Sequence, residues 1–538
     1  MRIIFYNGTI YTGEMPLQEA FVVENNKFLY AGNWETAKSM ATEDAEWVDL
    51  EGKFVCSGFN DSHMHLLGFG KALQQAQLAN HTQSLADMIA CLSEFAEISR
   101  KSNWILGRGW NQDYFSDADR MPNRYDLDQV SLEQPVCIVR ACGHCLVVNS
   151  KALELMEMTE EKAAKMLVEG GKIGMENGIL DGRFYDNAMD LVYEKIPAPS
   201  CAEIKDMILA ACKELNSYGI TSCQTDDYCA FQNVPWEEIN EAYRELEETG
   251  ELTVRVYEQS NFTSLEALRG FVEAGNMTGK GSDFFKIGPL KMLGDGALGA
   301  RTAFLSRPYA DDATTFGIPV FSKKQFEEMI SYANAKNMQV AVHTIGDACL
   351  DWVLDAFEKA LTEHPRQDHR HGIVHCQITR ADQLERIRKL GLHVYAQTIF
   401  LDYDINIVEA RVGKELAATS YRWKTLMKRG VTVSNGSDCP VELPDVMAGI
   451  QCAVTRKNLA GNIAAYHLEE GFTLQEALDS YTSCGSRSSF EETLKGKICS
   501  GMLADFVVLD ENPFTVEHNK LKDIGISATY LDGKKVFG

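Results

Sequence analysis

The 538-residue chain is long enough for one large barrel with additions, or for roughly two to four domains. Its 77 acidic residues outnumber 52 basic ones, for a formal net charge of −25, and no basic run offsets the excess, which argues against nucleic acid or an anionic membrane as partner. No apolar run reaches the roughly 18 residues of a membrane helix, so no membrane span is expected.

The N-terminal segment carries neither a long apolar core nor a small-residue cleavage site, so no export is expected. Fifteen cysteines lie scattered without a framework spacing, and several fall inside apolar strands (Cys56, Cys223, Cys452), as reduced core thiols do. The expected location is therefore the cytoplasm. Residues 1–57 read as short strands broken by turns: Ile3–Tyr6, Thr9–Tyr11, Ala20–Glu24, Lys27–Ala31, Glu46–Asp49 and Phe54–Cys56. Similar strands return at Asp505–Asp510 and across Ala528–Val536, where an Asp-Gly pair marks a hairpin. Residues 1–57 and 491–538 are thus expected to form one discontinuous β-sandwich.

Between them, strand-like and helix-like runs alternate, the pattern of βα units. After a first strand ending in His63-Met64-His65, strands are expected at Gly219–Thr225, Leu252–Tyr257, Phe284–Leu293, Gln339–His343, Gly372–His375, Leu392–Gln397 and Val431–Asp438. Eight such units over residues 58–68 and 205–490 predict an α/β fold of the (β/α)8 TIM-barrel type. Residues 69–204 are far too many for a βα connection and read as a subdomain inserted after the first barrel strand.

In a strand, residues i and i+2 share a face, so His63 and His65 can offer two imidazoles to one ion; a helix could not at that spacing. A lone H-x-H is as readily one core histidine beside a solvated one. What separates this pair is its company. Lys291, His343, His375 and Asp438 all stand at the ends of expected barrel strands, the face on which such barrels build their sites. Four imidazoles and a carboxylate suit a borderline divalent cation, zinc first, with iron, manganese, cobalt and nickel compatible by ligand type. An ammonium is not a ligand, but a CO2-derived carbamate on Lys291 would be an acceptor able to bridge two ions. Lys286, in the same strand, differs from Lys291 by an odd number of residues and faces the other side; Lys291 and His343 both precede a glycine by three. Lys291 is the preferred lysine.

The ordered motifs Gly58-Phe59-Asn60-Asp61-Ser62-His63-Met64-His65, Lys291-Met292-Leu293-Gly294-Asp295-Gly296, His343-Thr344-Ile345-Gly346-Asp347, Arg370-His371-Gly372-Ile373-Val374-His375 and Gly436-Ser437-Asp438-Cys439-Pro440 resemble those of the amidohydrolase superfamily. The resemblance runs nearly end to end and is to the branch of the N-substituted formamide deformylases and YtcJ-like proteins. It implies His63, His65, His343, His375 and Asp438 as ligands of one or two divalent ions, Lys291 as an N6-carboxylated bridge, and Asp438 as the catalytic carboxylate. The implied reaction is hydrolysis of a non-peptide carbon–nitrogen bond in a small-molecule substrate, most concretely an N-substituted amide or formamide. Cyclic amide hydrolysis, deamination and a non-catalytic metal-binding relic are the alternatives. Many deaminases of the superfamily carry a glutamate three residues after the strand-five histidine, where this chain has Gly346, and the intact Asp438 speaks against a relic. Trp110, His144, Asp295 and Arg301 are candidate substrate contacts, and a homodimer is a candidate assembly. Cys142-Gly143-His144-Cys145 matches the C-x-x-C of dithiol oxidoreductases, but no thioredoxin-like βαβ context surrounds it.

Overall fold

The computed structural model describes residues 2–98, 103–141, 144–168 and 171–538. They form two compact units, residues 1–68 with 208–538, and residues 69–207.

In the first unit, eight strands make one parallel sheet: β1 (Phe59–Met64), β2 (Ile220–Thr225), β3 (Arg255–Asn261), β4 (Phe285–Leu293), β5 (Val340–Thr344), β6 (Gly372–His375), β7 (His393–Ala396) and β8 (Val433–Asn435). Each pairs with the next in chain order. Past the end of β8 the seam closes on β1: the Asp438 N–H donates to the His63 carbonyl (2.8 Å) and the His65 N–H to the Cys439 carbonyl (2.7 Å). The fold is a (β/α)8 barrel. Its strands are buried on both faces, as parallel strands under helices must be, and Val340, Ala341, Val342, Ile373 and Val374 are all fully enclosed.

β3 runs four residues beyond the Tyr257 at which its apolar pattern ends. The tail Glu258-Gln259-Ser260-Asn261 is polar yet stays in the sheet, with Ser260 opposite Leu290 and Asn261 opposite Lys291. The helix between β2 and β3, α1 (Trp236–Glu248), buries Ile239, Ala242, Tyr243 and Leu246, one stripe at helical spacing. After β5, the helix α2 (Asp347–Glu363) starts at Gly346. The Phe304 carbonyl takes the Ala348 and Cys349 N–H groups there, and a Cβ on Gly346 would stand 2.0 Å from that oxygen.

Both termini supply the β-sandwich. One sheet holds Lys27–Gly32, Ala20–Glu24, Arg2–Tyr6 and Glu46–Asp49; the other holds Thr9–Ile10, Phe54–Ser57, Phe506–Leu509, Ile526–Leu531 and Lys534–Phe537. They share an aromatic core in which Phe5 stacks on Phe21 and Phe506 on Tyr530. Arg255, buried at the start of β3, pairs with Asp505 (2.7 Å) and Asp532 (2.6 Å), tying the barrel to the C-terminal strands.

The second unit is built on a six-stranded mixed sheet, ordered Gly171–Glu176, Ile179–Asp186, Cys145–Val148, Val136–Arg140, Ile105–Trp110, Ala76–Gln77. Alternate residues of Cys145–Val148 feed two apolar clusters: Leu146 and Val148 pack with Phe184, Cys145 and Val147 with Ile138. The Cys142-Gly143 half of the C-x-x-C lies outside the described residues. Among the described residues, no helix is long and apolar enough to cross a membrane.

Candidate metal centre

The C-terminal ends of β1, β4, β5 and β6 and the turn after β8 bring one set of side chains together. The His63 ring lies 5.4 Å from that of His65 and 5.7 Å from that of His375, and the His375 ring 4.4 Å from that of His343, centroid to centroid. Asp438 Oδ1 stands 3.2 Å from His63 Nε2 and 3.3 Å from His65 Nε2. Lys291 Nζ lies 3.4 Å from His63 Nε2 and donates to Asp226 Oδ2 at 3.2 Å. His375 and Asp438 both have positive φ (73° and 59°), and the His375 carbonyl so displaced is caught by the Trp423 indole N–H at 3.0 Å.

Each imidazole is held by its outer nitrogen. His63 Nδ1 lies 2.7 Å from Gln259 Oε1, His375 Nδ1 2.7 Å from Gln397 Oε1, His65 Nδ1 3.1 Å from the Asp226 carbonyl, and His343 Nε2 3.2 Å from the Gly296 carbonyl. A carbonyl oxygen only accepts, so each of these nitrogens is the donor, and on a neutral ring the opposite one turns a lone pair inward. Gln259 is itself oriented, since its Nε2 donates to the Ser62 carbonyl at 3.1 Å. Sequence reasoning missed Gln259, Gln397 and Asp226, the groups that fix ring tautomer and direction around metal ions.

Charge follows the same division. Burial and the nearby Lys291 charge push His63 down to about 4 and His343 to about 3; burial and His343 hold His375 well below its ordinary value. His65 goes the other way: burial opposes its charge, but the hydrogen bonds to Asp438 and Cys229 and the charges of Asp226 and Asp438 raise it well above its ordinary value. Asp438 stays well below the usual carboxylate range despite burial, held there by His63 and His65. Three imidazoles held below their ordinary value and one held above it therefore converge on one carboxylate. His343 Nδ1 and His375 Nε2 face each other at 2.8 Å, both lone-pair nitrogens by the anchoring of their rings, an approach that calls for a cation. The donor set matches a borderline divalent ion. Donor atoms of His63, His65 and Asp438 lie within 4.8 Å of one another, as do those of His65, Asp226 and Cys229.

The sequence profile of the amidohydrolase family matches residues 46–537. The chain belongs to the amidohydrolase family. This amidohydrolase is 32% identical to a Bacillus subtilis (strain 168) protein designated amidohydrolase YtcJ, over 100% of this chain and 99% of that protein. It is 23% identical to the N-substituted formamide deformylase of Arthrobacter pascens, over 96% of this chain and 94% of that one. Among solved structures, an uncharacterized metal-dependent hydrolase from Pyrococcus horikoshii OT3 matches with a TM-score of 0.80 at 29% identity, covering 96% of this chain and 99% of that chain. The amidohydrolase is thus an enzyme, a hydrolase of the kind that depends on a divalent metal.

Of the four candidate substrate contacts in the amidohydrolase, two are corrected. Trp110 is fully enclosed in the core of the second unit, its indole N–H donating to the Ile138 carbonyl at 3.3 Å, and it has no exposed face for a ligand. Asp295 is fully buried too; its oxygens take the N–H groups of Ile345 (3.0 Å), Gly346 (2.7 Å) and Phe304 (2.8 Å), so it shapes the loops beside His343. Arg301, on the loop after β4, makes a bidentate pair with Asp311 (3.0 and 2.9 Å). His144 is exposed in the second unit beside Asp186.

Proposed function

We propose that this amidohydrolase cleaves the carbon–nitrogen bond of an N-substituted amide, a formamide being the most concrete case. The observation that carries the reading is the group of four imidazoles pinned at their outer nitrogens, with the inner nitrogens of His63 and His65 at Asp438 and those of His343 and His375 facing each other. Two exposed apolar side chains flank them and suit an apolar N-substituent. Leu293 lies opposite His343 in the β4–β5 ladder, and the Val441 N–H donates to the Asp438 carbonyl at 2.9 Å. One relative is named for formamide deformylation. A glutamate at position 346, as in a deaminase, would collide with the Phe304 carbonyl.

In this reading His63, His65, His343, His375 and Asp438 hold one or two divalent ions, zinc first. A divalent ion bound there lowers the pKa of water toward about 7 and polarises a substrate carbonyl. Asp438 accepts the proton from the attacking water and returns it to the amine nitrogen as the carbon–nitrogen bond breaks, leaving a free amine and a carboxylic acid, formate from a formamide. Lys291 enters the ligand set only on carboxylation by CO2; otherwise its ammonium is engaged by Asp226.

Elemental mass spectrometry of the purified enzyme and of Lys291→Ala tests the site. About two ions per chain in the parent and fewer in the variant support a carboxylated bridge; about one in both reduces Lys291 to a positioning role. No bound transition metal, and none taken up on reconstitution, overturns the mechanism. Metal-dependent formate release from N-substituted formamides supports the substrate class, whereas ring opening of cyclic amides without it moves the enzyme to the cyclic amidases.

A further inference from the structure

The turn that ends β2, Thr225-Asp226-Asp227, grips the chain on both sides of His65. The Asp226 N–H donates to the Met64 carbonyl (3.0 Å), and the Asp226 carbonyl holds His65 Nδ1 (3.1 Å). Thr225 Oγ1 accepts the Leu66 N–H (2.7 Å), and Asp227 Oδ1 accepts both the Leu67 N–H (2.8 Å) and the Thr225 hydroxyl (2.7 Å). Asp227 is the hub of this arrangement and is fully enclosed. Its N–H donates to Glu258 Oε1 at 3.1 Å, and its second oxygen takes the hydroxyl of Tyr243 at 2.5 Å. Tyr243 comes from α1, outside the barrel, with its ring stacked on Phe285 at 4.7 Å.

A buried carboxylate is tolerable only when its oxygens are paired, and removing one partner exposes the full penalty. Without the phenol, Asp227 Oδ2 would be left bare beside the Glu258 carboxyl. Relief by rotation would release the Leu67 N–H, and with it the backbone that aims His65. We infer that Tyr243 is a positioning residue for the metal centre, acting through Asp227 on the direction of the His65 ring. The inference rests on the proposed metal reading; Tyr243 touches neither substrate nor the inward ring nitrogens.

Tyr243→Phe keeps the stack on Phe285 and removes one hydrogen bond. Zinc affinity of the full chain is measured by competition with a chromophoric chelator, and the visible bands of the cobalt-loaded protein report ligand geometry without reference to turnover. The expected result is about 10–100-fold weaker zinc binding with altered cobalt bands, the range typical of lost outer partners. Tyr257→Phe is the matched control: that phenol is equally buried, but it donates to Gln339 (3.0 Å), away from the Thr225–Asp227 turn, and its loss should lower Tm with affinity and bands unchanged. Parent-like affinity and bands in Tyr243→Phe overturn the inference, as does an equal loss in Tyr257→Phe. Should Tyr243→Phe fail to fold, Thr225→Val, which removes the acceptor of the Leu66 N–H, is read by the same two criteria. A parent that takes up no metal defeats the metal reading itself, and the inference with it.

Discussion

Replacing Gln397 by methionine removes the acceptor that sets the His375 tautomer while filling a similar volume. Gln397 and His375 are 0% and 1% exposed, and the bond between them is 2.7 Å, so no bulk water can replace the lost oxygen. A buried N–H left without an acceptor costs about 1–3 kcal/mol. If that penalty falls on the tautomer whose Nε2 lone pair faces His343, metal affinity should fall by about 5- to 150-fold, at about 1.4 kcal/mol per decade. Chelator competition reads the affinity, and turnover at saturating metal, read separately, should return to within about tenfold of the parent. Gln377→Met is the control, since that buried amide bonds Asp404 at 3.2 Å and no imidazole. Affinity within about twofold of the parent in a folded Gln397→Met protein, or an equal loss in Gln377→Met, would refute the tautomer argument.

Asp438→Asn removes the proton acceptor while keeping an oxygen donor, so kcat should fall by about 10²–10⁴-fold with metal content changed far less; an equal loss of both, measured on the same preparation, contradicts the assigned role. Glu491, buried between Lys286 and Lys495 at 2.8 Å each, is held down to about 2 by those charges although burial opposes it. Its folded pKa lies below its unfolded value of 4.5, so its stabilisation is present above about pH 4.5 and lost as pH falls toward 2, amounting to about 3 kcal/mol. Glu491→Gln should therefore be less stable at pH 7 and lack that part of the acid limb in denaturant titrations. Gly346→Ala forces a Cβ against the Phe304 carbonyl and should destabilise the fold by about 1–3 kcal/mol or more; an unchanged Tm contradicts the packing at that corner.

The barrel was legible because eight runs repeat a strand-then-helix rhythm and the strands are apolar enough to be buried on both faces. The preferred lysine of β4 does reach the histidines, but not by strand parity: a register shift against β3 offsets the odd spacing of the two lysines, and Lys286 reaches Glu491 whereas Lys291 reaches Asp226 and His63. The histidines and Asp438 stood out as chemically costly residues at strand ends. Their anchors did not. Gln259 lies in the polar tail of β3, past Tyr257, where the apolar pattern stops but the ladder to β4 continues. Gln397 ends one expected strand and Asp226 follows another, yet an amide or one of two adjacent aspartates has no signature until its partner is located. Tyr243 follows the helical period and reads as ordinary core, which it also is. Trp110 and Asp295 err in the opposite sense: their chemistry invites a role, and the backbone around them consumes it.

The seam at which the Asp438 N–H meets the His63 carbonyl joins the first barrel strand to the turn after the last. On the ribosome, His63 and His65 emerge hundreds of residues ahead of Asp438, a wait of about 20–75 s at usual rates of synthesis. A nascent chain halted before residue 438 presents imidazoles without the carboxylate that completes their set. In the proposed reading the ion meets its full ligand set only once residue 438 has left the ribosome and the turn after the last strand has reached the first.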